Sequence, residues 1–281
     1  MAQIGERPVM NIIQPHSSDL PTHGRINCSL CHANQSFVFD ETRTEREQKD
    51  WRITANPLAW GNQRPEVLVL GFSKGPSQAG ELRRLPHNDI PYRKGRMQVG
   101  KILAHVGLLP TVTTDELKQM VQHAIANKNG RFGWGSLIRC TVERFDFKEH
   151  EWVGSGGMID QFMATPFGQQ ISTRCATRFL RELPVETKLI IMFGLGTRLS
   201  YVETARRAIE MARPGHWRTI NEVAYTDDKI TVVHVEHFAS QGANIPNWLG
   251  QNQNPRGQLG LLARNAVEKA LSPSSERETS P

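Results

Sequence analysis

The sequence lacks any long apolar run, which excludes the roughly 20 consecutive apolar residues that a membrane-spanning helix needs. Its first residues also lack the basic start, apolar middle and small-residue cleavage site of a signal peptide. We therefore expect a cytoplasmic protein with no membrane partner, and the sequence shows no obligate protein partner. Cysteine is scarce, with 4 residues in a chain of 281. A cytosolic chain of this size needs no disulfide framework, so metal binding and simple burial are the two interpretations.

The composition favours a protein with a sizeable core. Hydrophobic residues make up 38% of the chain, and the mean hydropathy is −0.46. The length fits one domain with insertions, which we place at residues 25–271, with an insertion at about 144–170. A flexible arm precedes it at residues 1–24, and the composition of the tail at 272–281 predicts disorder.

The net charge of the chain favours binding to a polyanion. The formal net charge is +6 and the sequence pI is about 9.3, which favours a nucleic acid partner, although an ordinary basic surface gives the same values. Local clustering favours DNA, because basic residues crowd one short stretch. A solvated basic loop is the alternative for each of them. The residues of this stretch that we expect to contact phosphates, with salt-dependent affinity, are Arg83, Arg84, Arg93, Lys94 and Arg96.

Apolar runs alternate with amphipathic segments, which predicts an α/β fold with a mostly parallel central sheet and helices on both faces. In such sheets the ligand site lies beyond the carboxyl ends of the strands. The predicted buried strands are 66–71, 132–142, 188–194 and 230–237. The predicted helices are 41–50, 97–106, 114–126, 174–183, 201–211 and 259–271. The segments 72–94 and 144–170 are predicted to be irregular.

The cysteine spacing leaves three interpretations open. Cys28 and Cys31 form one CxxC pair, whereas Cys140 and Cys175 stand singly further along the chain. A redox pair is expected at a strand-to-helix junction, but this pair precedes the first predicted buried strand. Zinc usually takes two closely spaced pairs, and an iron–sulfur cluster needs only four convergent sulfurs. Four buried cysteines without a metal are the remaining alternative.

Seven segments of the chain form an ordered set of motifs. They are CSLC (28–31), VLVLGFSKG (67–75), GKILAHVGLL (100–109), SLIRC (136–140), CATRFLREL (175–183), KLIIMFGLG (188–196) and VVHVEHFAS (232–240). This set resembles the iron–sulfur branch of the uracil-DNA glycosylase superfamily, often called family 4, and it covers most of the chain. The resemblance implies the fold of that superfamily and a structural 4Fe–4S cluster, with zinc as the alternative metal. The implied cluster ligands are Cys28, Cys31, Cys140 and Cys175.

Three motifs depart from the family pattern. The asparagine that reads the edge of uracil in the family is Ser136 here, and a hydroxyl cannot copy the paired donor and acceptor of an amide. The family's Gly-Glu-Ala-Pro-Gly motif is GFSKG at 71–75, and its His-Pro-Ser motif is HFA at 237–239. The smaller Ser136 and the insertion at 144–170 favour a roomier pocket. We therefore expect a modified or enlarged pyrimidine as the substrate rather than plain uracil.

The chemistry of base excision assigns roles to further residues. His237 matches the family histidine that hydrogen-bonds the departing base, and a histidine packed at the strand end is the alternative. Asp89 is the first candidate for orienting water, and Ser73 lies where the motif approaches the sugar. Phe72, Tyr92 and Ser136 are the expected base-binding residues, with the two rings as stacking surfaces. Gln241 and Ile245 lie in a loop expected to enter the DNA beside the extruded base.

These observations predict a monofunctional DNA glycosylase, a hydrolase that flips out a base and leaves an abasic site, for example in phage DNA as antiviral defence. Lys74 is the only lysine in the motif and is not clearly placed for lyase chemistry. One alternative is a catalytically diverged glycosylase-like DNA-binding protein, which the replaced motif residues favour. Others are a uracil-DNA glycosylase of base-excision repair and a zinc-stabilised α/β protein unrelated to DNA.

Overall fold

The structure, a computed structural model, describes residues 19–32, 36–45, 50–82 and 84–272. Most of the predicted N-terminal arm, almost all of the predicted tail and Arg83 lie outside the described residues. The strands of the described part are β1 (Gly24–Arg25), β2 (Thr42–Glu45), β3 (Trp51–Thr54), β4 (Leu58–Gly61), β5 (Val67–Gly71), β6 (Phe132–Ser136), β7 (Thr141–Asp146), β8 (Glu151–Gly154), β9 (Leu189–Phe193), β10 (Arg218–Asn221), β11 (Ala224–Thr226) and β12 (Thr231–Val235). Its α-helices are α1 (Pro76–Glu81), α2 (Arg96–His105), α3 (Thr114–Ala126), α4 (Ile159–Ala164), α5 (Pro166–Leu180), α6 (Ser200–Ala212), α7 (Asn244–Trp248) and α8 (Arg256–Leu271).

The large sheet is mixed. Its strand order is β1-β4-β6-β5-β9-β12-β11-β10, and only the central strands β6, β5, β9 and β12 pair in parallel. Antiparallel strands extend it at both edges. The expected α/β class is therefore confirmed, but the expectation of a mostly parallel sheet is not.

The central strands follow from their composition. Every residue of β9 is buried, as are four of the five residues of β5, so these strands need cover on both faces and appear in the sequence as continuous apolar runs. The β10–β11 and β11–β12 connections are short. Such connections join antiparallel neighbours, because a parallel pair needs a crossover of a dozen residues or more. The apolar pattern predicted the parallel centre and not the edges.

A second, smaller sheet corrects three predictions. It is antiparallel, in the order β2-β3-β7-β8. The helix predicted at 41–50 is wrong where the structure describes it, because β2 alternates exposed and half-buried residues as an edge strand does. The single strand predicted at 132–142 is two, since β6 ends at Ser136 and β7 begins at Thr141 in the other sheet. The segment 144–170 is ordered as part of β7, then β8, α4 and the start of α5.

The predicted helices largely agree with the structure. Helix α3 begins as expected, because Thr113 and Glu116 form a reciprocal capping box. Helix α5 starts at Pro166 rather than at residue 174, since the Thr165 hydroxyl accepts from the N–H of Gly168 at 3.0 Å and proline is favoured in a first turn. The loop predicted at 72–94 contains α1 and a 3₁₀ turn at His87–Asp89.

One hydrophobic core runs from Leu20 to Ala270 and includes the parallel strands. Helix α3 packs against β4 and β6, and α8 packs against β9 to β12. Within the described ranges, none of the helices has the length and apolar character required to cross a bilayer. The carboxyl ends of the four parallel strands thus open on one edge, where the loops after Gly71, Ser136, Phe193 and Val235 emerge.

Candidate functional site

The four cysteines line one cavity. The empty space between its walls, including the part open to solvent, is about 310 Å³. Its wall also contains His32, Arg139, Arg174, Arg178 and Phe179. None of the cysteines is in a disulfide. The structure therefore brings together sulfurs from the chain before β2, from the β6–β7 connection and from α5. Metal ligation by them stays a prediction.

The segment containing CxxC is fixed to the body of the protein by arginines. Nη1 of Arg43 in β2 donates to the carbonyl of Cys31 at 2.9 Å, and Nη1 of Arg174 in α5 donates to the carbonyl of Leu30 at 3.0 Å. On the opposite wall the backbone N–H of Arg139 donates to Sγ of Cys175 at 3.2 Å. These contacts fix the walls of the cysteine cavity, which come from segments that are distant in sequence.

Burial disfavours thiolates in the cysteine cavity. Burial, with the neighbouring Cys140 and Cys28, raises the pKa of Cys31 to about 12. Burial also raises the pKa of Cys140 and of Cys175 above the ordinary thiol value. In the described part of the chain, no group of three or more His, Cys, Asp or Glu side chains is arranged as a site for a single metal ion.

The predicted base-binding residues lie at the carboxyl ends of the parallel strands. Ser136 ends β6 opposite Gly71, the last residue of β5, and Phe72 follows directly. The backbone N–H of Ile138 donates to the carbonyl of Phe72 at 2.8 Å, so the two chains stay paired beyond the strands. Phe72 and Ser136 are both buried, and the ring of Phe72 contacts that of Tyr201 with centroids 4.8 Å apart.

Tyr92 lies at the centre of an aromatic cluster at the same edge. Its ring centroid is 5.8 Å from that of Trp134, 5.7 Å from that of Phe193 and 4.9 Å from that of Phe238. Tyr92 has a φ of 54°, a left-handed conformation that a bulky residue adopts only when its surroundings impose it. Because Phe238 is the neighbour of His237, the cluster joins the loop before α2 to the loop after β12.

His237 is held in one tautomer. The backbone N–H of Ala239 donates to Nδ1 of His237 at 3.2 Å, so the hydrogen of a neutral ring lies on Nε2. Burial lowers the pKa of His237, against a smaller opposite effect of Glu236. The residue therefore offers a neutral N–H donor at the carboxyl end of the parallel strands.

A buried carboxylate supports this loop. Oε1 of Glu236 accepts from the backbone N–H of His237 at 2.8 Å and from the Ser240 hydroxyl at 2.7 Å. Its Oε2 meets Nε of Arg256, at the start of α8. Glu236 is not among the residues predicted from the sequence, although its position directly after an apolar strand is a signal that could have identified it.

The other catalytic candidates are less clearly placed. Asp89 lies half-buried at the end of the 3₁₀ turn, and among the described residues no hydrogen bond joins it to His237. Ser73 is half-buried beside Phe72. Arg96 is buried, and its guanidinium donates to the carbonyls of Pro91 and Asn88 at 3.1 and 2.6 Å, so in this structure it fixes the loop around Tyr92 and does not face a phosphate.

The remaining DNA-binding candidates divide by exposure. Arg84, Lys94 and Gln241 are exposed, and the exposed Arg93 pairs with Glu81 at 3.2 Å. Ile245 is 5% exposed, packed within α7, so it does not project as a wedge in this conformation.

Comparison of the chain with protein-family models, with curated proteins and with solved structures finds no match.

Proposed function

We propose that this protein is a DNA glycosylase that binds an extruded base at the carboxyl ends of its parallel strands and hydrolyses the N-glycosidic bond. The observation that supports it most is the hydrogen bond from the Ala239 N–H to Nδ1 of His237, which leaves a neutral Nε2–H donor beside a cluster of aromatic rings. A fixed donor is what a departing base needs, because negative charge develops on it as the bond to C1′ breaks.

The reaction needs few groups. The bond between C1′ and the base nitrogen breaks. The hydroxyl of a water molecule then bonds to C1′, and the remaining proton of that water neutralises the departing base. His237 stabilises the leaving base through Nε2–H, and the ring of Tyr92 or Phe72 offers a stacking surface worth about 1–3 kcal/mol. Asp89 is our candidate for orienting the water.

We further propose that Cys28, Cys31, Cys140 and Cys175 hold a 4Fe–4S cluster. The fit rests on the four sulfurs that surround one cavity. Zinc would draw its ligands into a small tetrahedron with Zn–S distances of about 2.3 Å, whereas a cluster with one iron for each thiolate spaces them further apart. The cluster would supply structural cross-linking, fixing the chain before β2 to α5.

The substrate we favour is a modified pyrimidine. Ser136, opposite Gly71, has a short hydroxyl at the position where the family has an amide, and a hydroxyl provides no matched pair of hydrogen bonds for uracil. DNA of invading phages with enlarged pyrimidines is a fitting source of such bases.

The test is release of base from a panel of oligonucleotides. DNA containing cytosine, 5-hydroxymethylcytosine, its glucosylated form, thymine or uracil is incubated with the protein, single- and double-stranded. Abasic sites are detected by alkaline cleavage and the freed base by mass spectrometry. We expect excision of a modified pyrimidine, and a loss of about 100-fold or more in His237→Ala, as for the loss of one preorganised donor.

The control is His216→Ala, because His216 is exposed and outside the site. It should retain full activity. Excision that is equal in His237→Ala and His216→Ala would rule out the role of His237. Excision of uracil alone would support the proposed glycosylase activity but rule out a modified base as the substrate.

One observation favours a second function, which is DNA binding without base excision. Phe238 packs against Tyr92 and Phe193, and a Cβ built on Gly95 would lie 2.5 Å from its ring, so this aromatic side chain occupies the space beside the proposed stacking surface. A protein that grips DNA without excision would show tight, salt-dependent binding to the same oligonucleotides and no abasic sites with any of them.

A further inference from the structure

Lys74 and Arg139 are buried cations without a carboxylate partner. Each is 2% exposed, and no ion pair found in the described part of the chain involves either of them. The other fully buried charged residues are accounted for, since Arg96 donates to two carbonyls and Glu236 pairs with Arg256. A buried charge is strongly unfavourable unless an opposite charge compensates it. An anion beside Lys74 and Arg139 would offset this cost.

The protein makes space for the Arg139 side chain. A Cβ built on Gly135 would lie 1.6 Å from Nη1 of Arg139, so the guanidinium occupies volume that only glycine leaves free. The guanidinium lies 5.2 Å from the ring centroid of Phe179, and neither Nε nor Nη1 has a hydrogen-bond partner. The cation is thus enclosed and only partly satisfied by the protein itself.

Both cations lie beside the cysteine cavity. Arg139 lines it, precedes Cys140, and donates its backbone N–H to Sγ of Cys175. Nζ of Lys74 donates to the Arg139 carbonyl, so the ammonium lies beside the residue that precedes Cys140. Cys175, whose Sγ accepts from the Arg139 N–H, and Cys140, which follows Arg139 in the chain, are groups here that can become anionic.

We propose that Lys74 and Arg139 are the counter-cations of the metal centre in the cysteine cavity and hold it as a dianion. This inference rests on the proposed cluster. Four thiolates around an oxidised 4Fe–4S core leave a net charge of about minus two, which two buried cations match. Reduction by one electron adds a further negative charge, which the same cations stabilise. They therefore raise the reduction potential of the cluster, through their charge and not through contact with DNA.

The experiment compares neutral and charge-retaining variants of the full chain. Lys74→Met and Arg139→Gln remove a charge, whereas Lys74→Arg and Arg139→Lys keep it. Arg178→Gln is the matched control, because Arg178 also lines the cavity but is exposed to solvent. Iron and acid-labile sulfide are measured for each chain, circular dichroism reports folding, and the cluster is titrated with dithionite and redox mediators while its absorbance is followed.

We expect the wild-type protein to contain four irons and four sulfides. Each neutral variant should shift the midpoint to more negative potential, so that the ratio of reduced to oxidised cluster at a fixed potential falls about tenfold. Arg178→Gln should shift it much less, because solvent screens an exposed charge. Where a neutral variant loses its cluster but keeps its circular dichroism, retention of the cluster by the charge-retaining variant supports the same role.

The opposing outcomes are distinct. If the neutral variants have the same midpoint potential and iron content as Arg178→Gln, the proposed role of the cations is wrong. The proposal of the cluster is unaffected by that result. Equal loss of iron in neutral and charge-retaining variants also overturns it, since packing is then the cause. If the wild-type protein contains no iron and no sulfide, both the cluster and this inference are wrong. Base release by the same preparation would still support the proposed glycosylase activity.

Discussion

Oε2 of Glu236 lies 2.5 Å from Nε of Arg256, and the carboxylate is almost completely buried while the guanidinium is partly exposed. The pair joins the loop after β12 to the first turn of α8. Since Oε1 of the same carboxylate also accepts from the His237 N–H, the position of the proposed catalytic histidine depends on this contact.

Replacement of Glu236 by glutamine should destabilise the protein and slow base release. A carboxylate accepts through both oxygens, whereas an amide accepts through only one, so at least one donor among His237, Ser240 and Arg256 loses its acceptor. The loss of such a hydrogen bond costs about 1–3 kcal/mol. Urea denaturation measures the free energy of unfolding, and the abasic-site assay measures the rate. The matched control is Asp228→Asn, which breaks the exposed pair with Arg218 and should cost at most about 1 kcal/mol. Equal effects of the two substitutions would contradict the structural role of Glu236.

Acidification should destabilise the protein through His234. This residue is fully buried, its Nδ1 lies 3.1 Å from the Gly194 carbonyl, and burial lowers its pKa to about 4 from 6.5. The unfolded chain binds a proton below pH 6.5 while the folded chain does not, so the free energy of unfolding falls as the pH drops from about 6.5 to 4. The share of His234 is about 3 kcal/mol at the acid end.

Urea denaturation of the wild type and of His234→Gln at several pH values isolates that share. Other histidines titrate in both proteins, so the difference between the two curves is the informative quantity. The pH dependence should be weaker in His234→Gln and unchanged in His216→Gln, whose imidazole is exposed. Parallel curves for the wild type and His234→Gln would show that protonation of His234 does not control acid stability.

Part of the fold could be predicted from the sequence for a physical reason. Strands β5 and β9 are buried on both faces, so their composition alone indicates them. The edges could not be predicted, because β1 has only two residues and β10 is exposed or half-buried throughout. Strand direction at the edges is set by connection length and not by composition.

The candidate site shows the same division. The position of His237 after an apolar strand was visible in the sequence, but its tautomer depends on the turn that brings the Ala239 N–H to Nδ1. The burial of Arg139 depends on Gly135, four residues earlier, whose missing side chain opens the space. An arginine next to a cysteine does not by itself predict such an arrangement.

Gly135→Ala should expel the Arg139 guanidinium. The new methyl group would lie 1.6 Å from Nη1 and 2.6 Å from Cζ, so either the side chain or β6 must move. Overpacking of this kind costs about 1–3 kcal/mol. The control is Gly157→Ala, at a position where nothing lies within 4 Å of the added Cβ. Thermal unfolding should show a lower midpoint for Gly135→Ala alone, and equal midpoints would mean that Arg139 is not confined by Gly135.

The two classes of basic residue near α2 should respond differently to replacement. Lys94 is exposed and has no ion pair among the described residues, whereas Arg96 is buried and donates to two carbonyls. Lys94→Ala should weaken DNA binding to all sequences alike and reduce the slope of log affinity against log salt by about one, without loss of stability. Arg96→Met should lower the free energy of unfolding by about 1–3 kcal/mol, because it leaves buried carbonyls of Asn88 and Pro91 without their donor. Fluorescence anisotropy over a range of salt concentrations and urea denaturation give the two quantities for both variants. The distinction fails if Lys94→Ala leaves the salt slope unchanged, or if Arg96→Met changes the slope and leaves the stability intact.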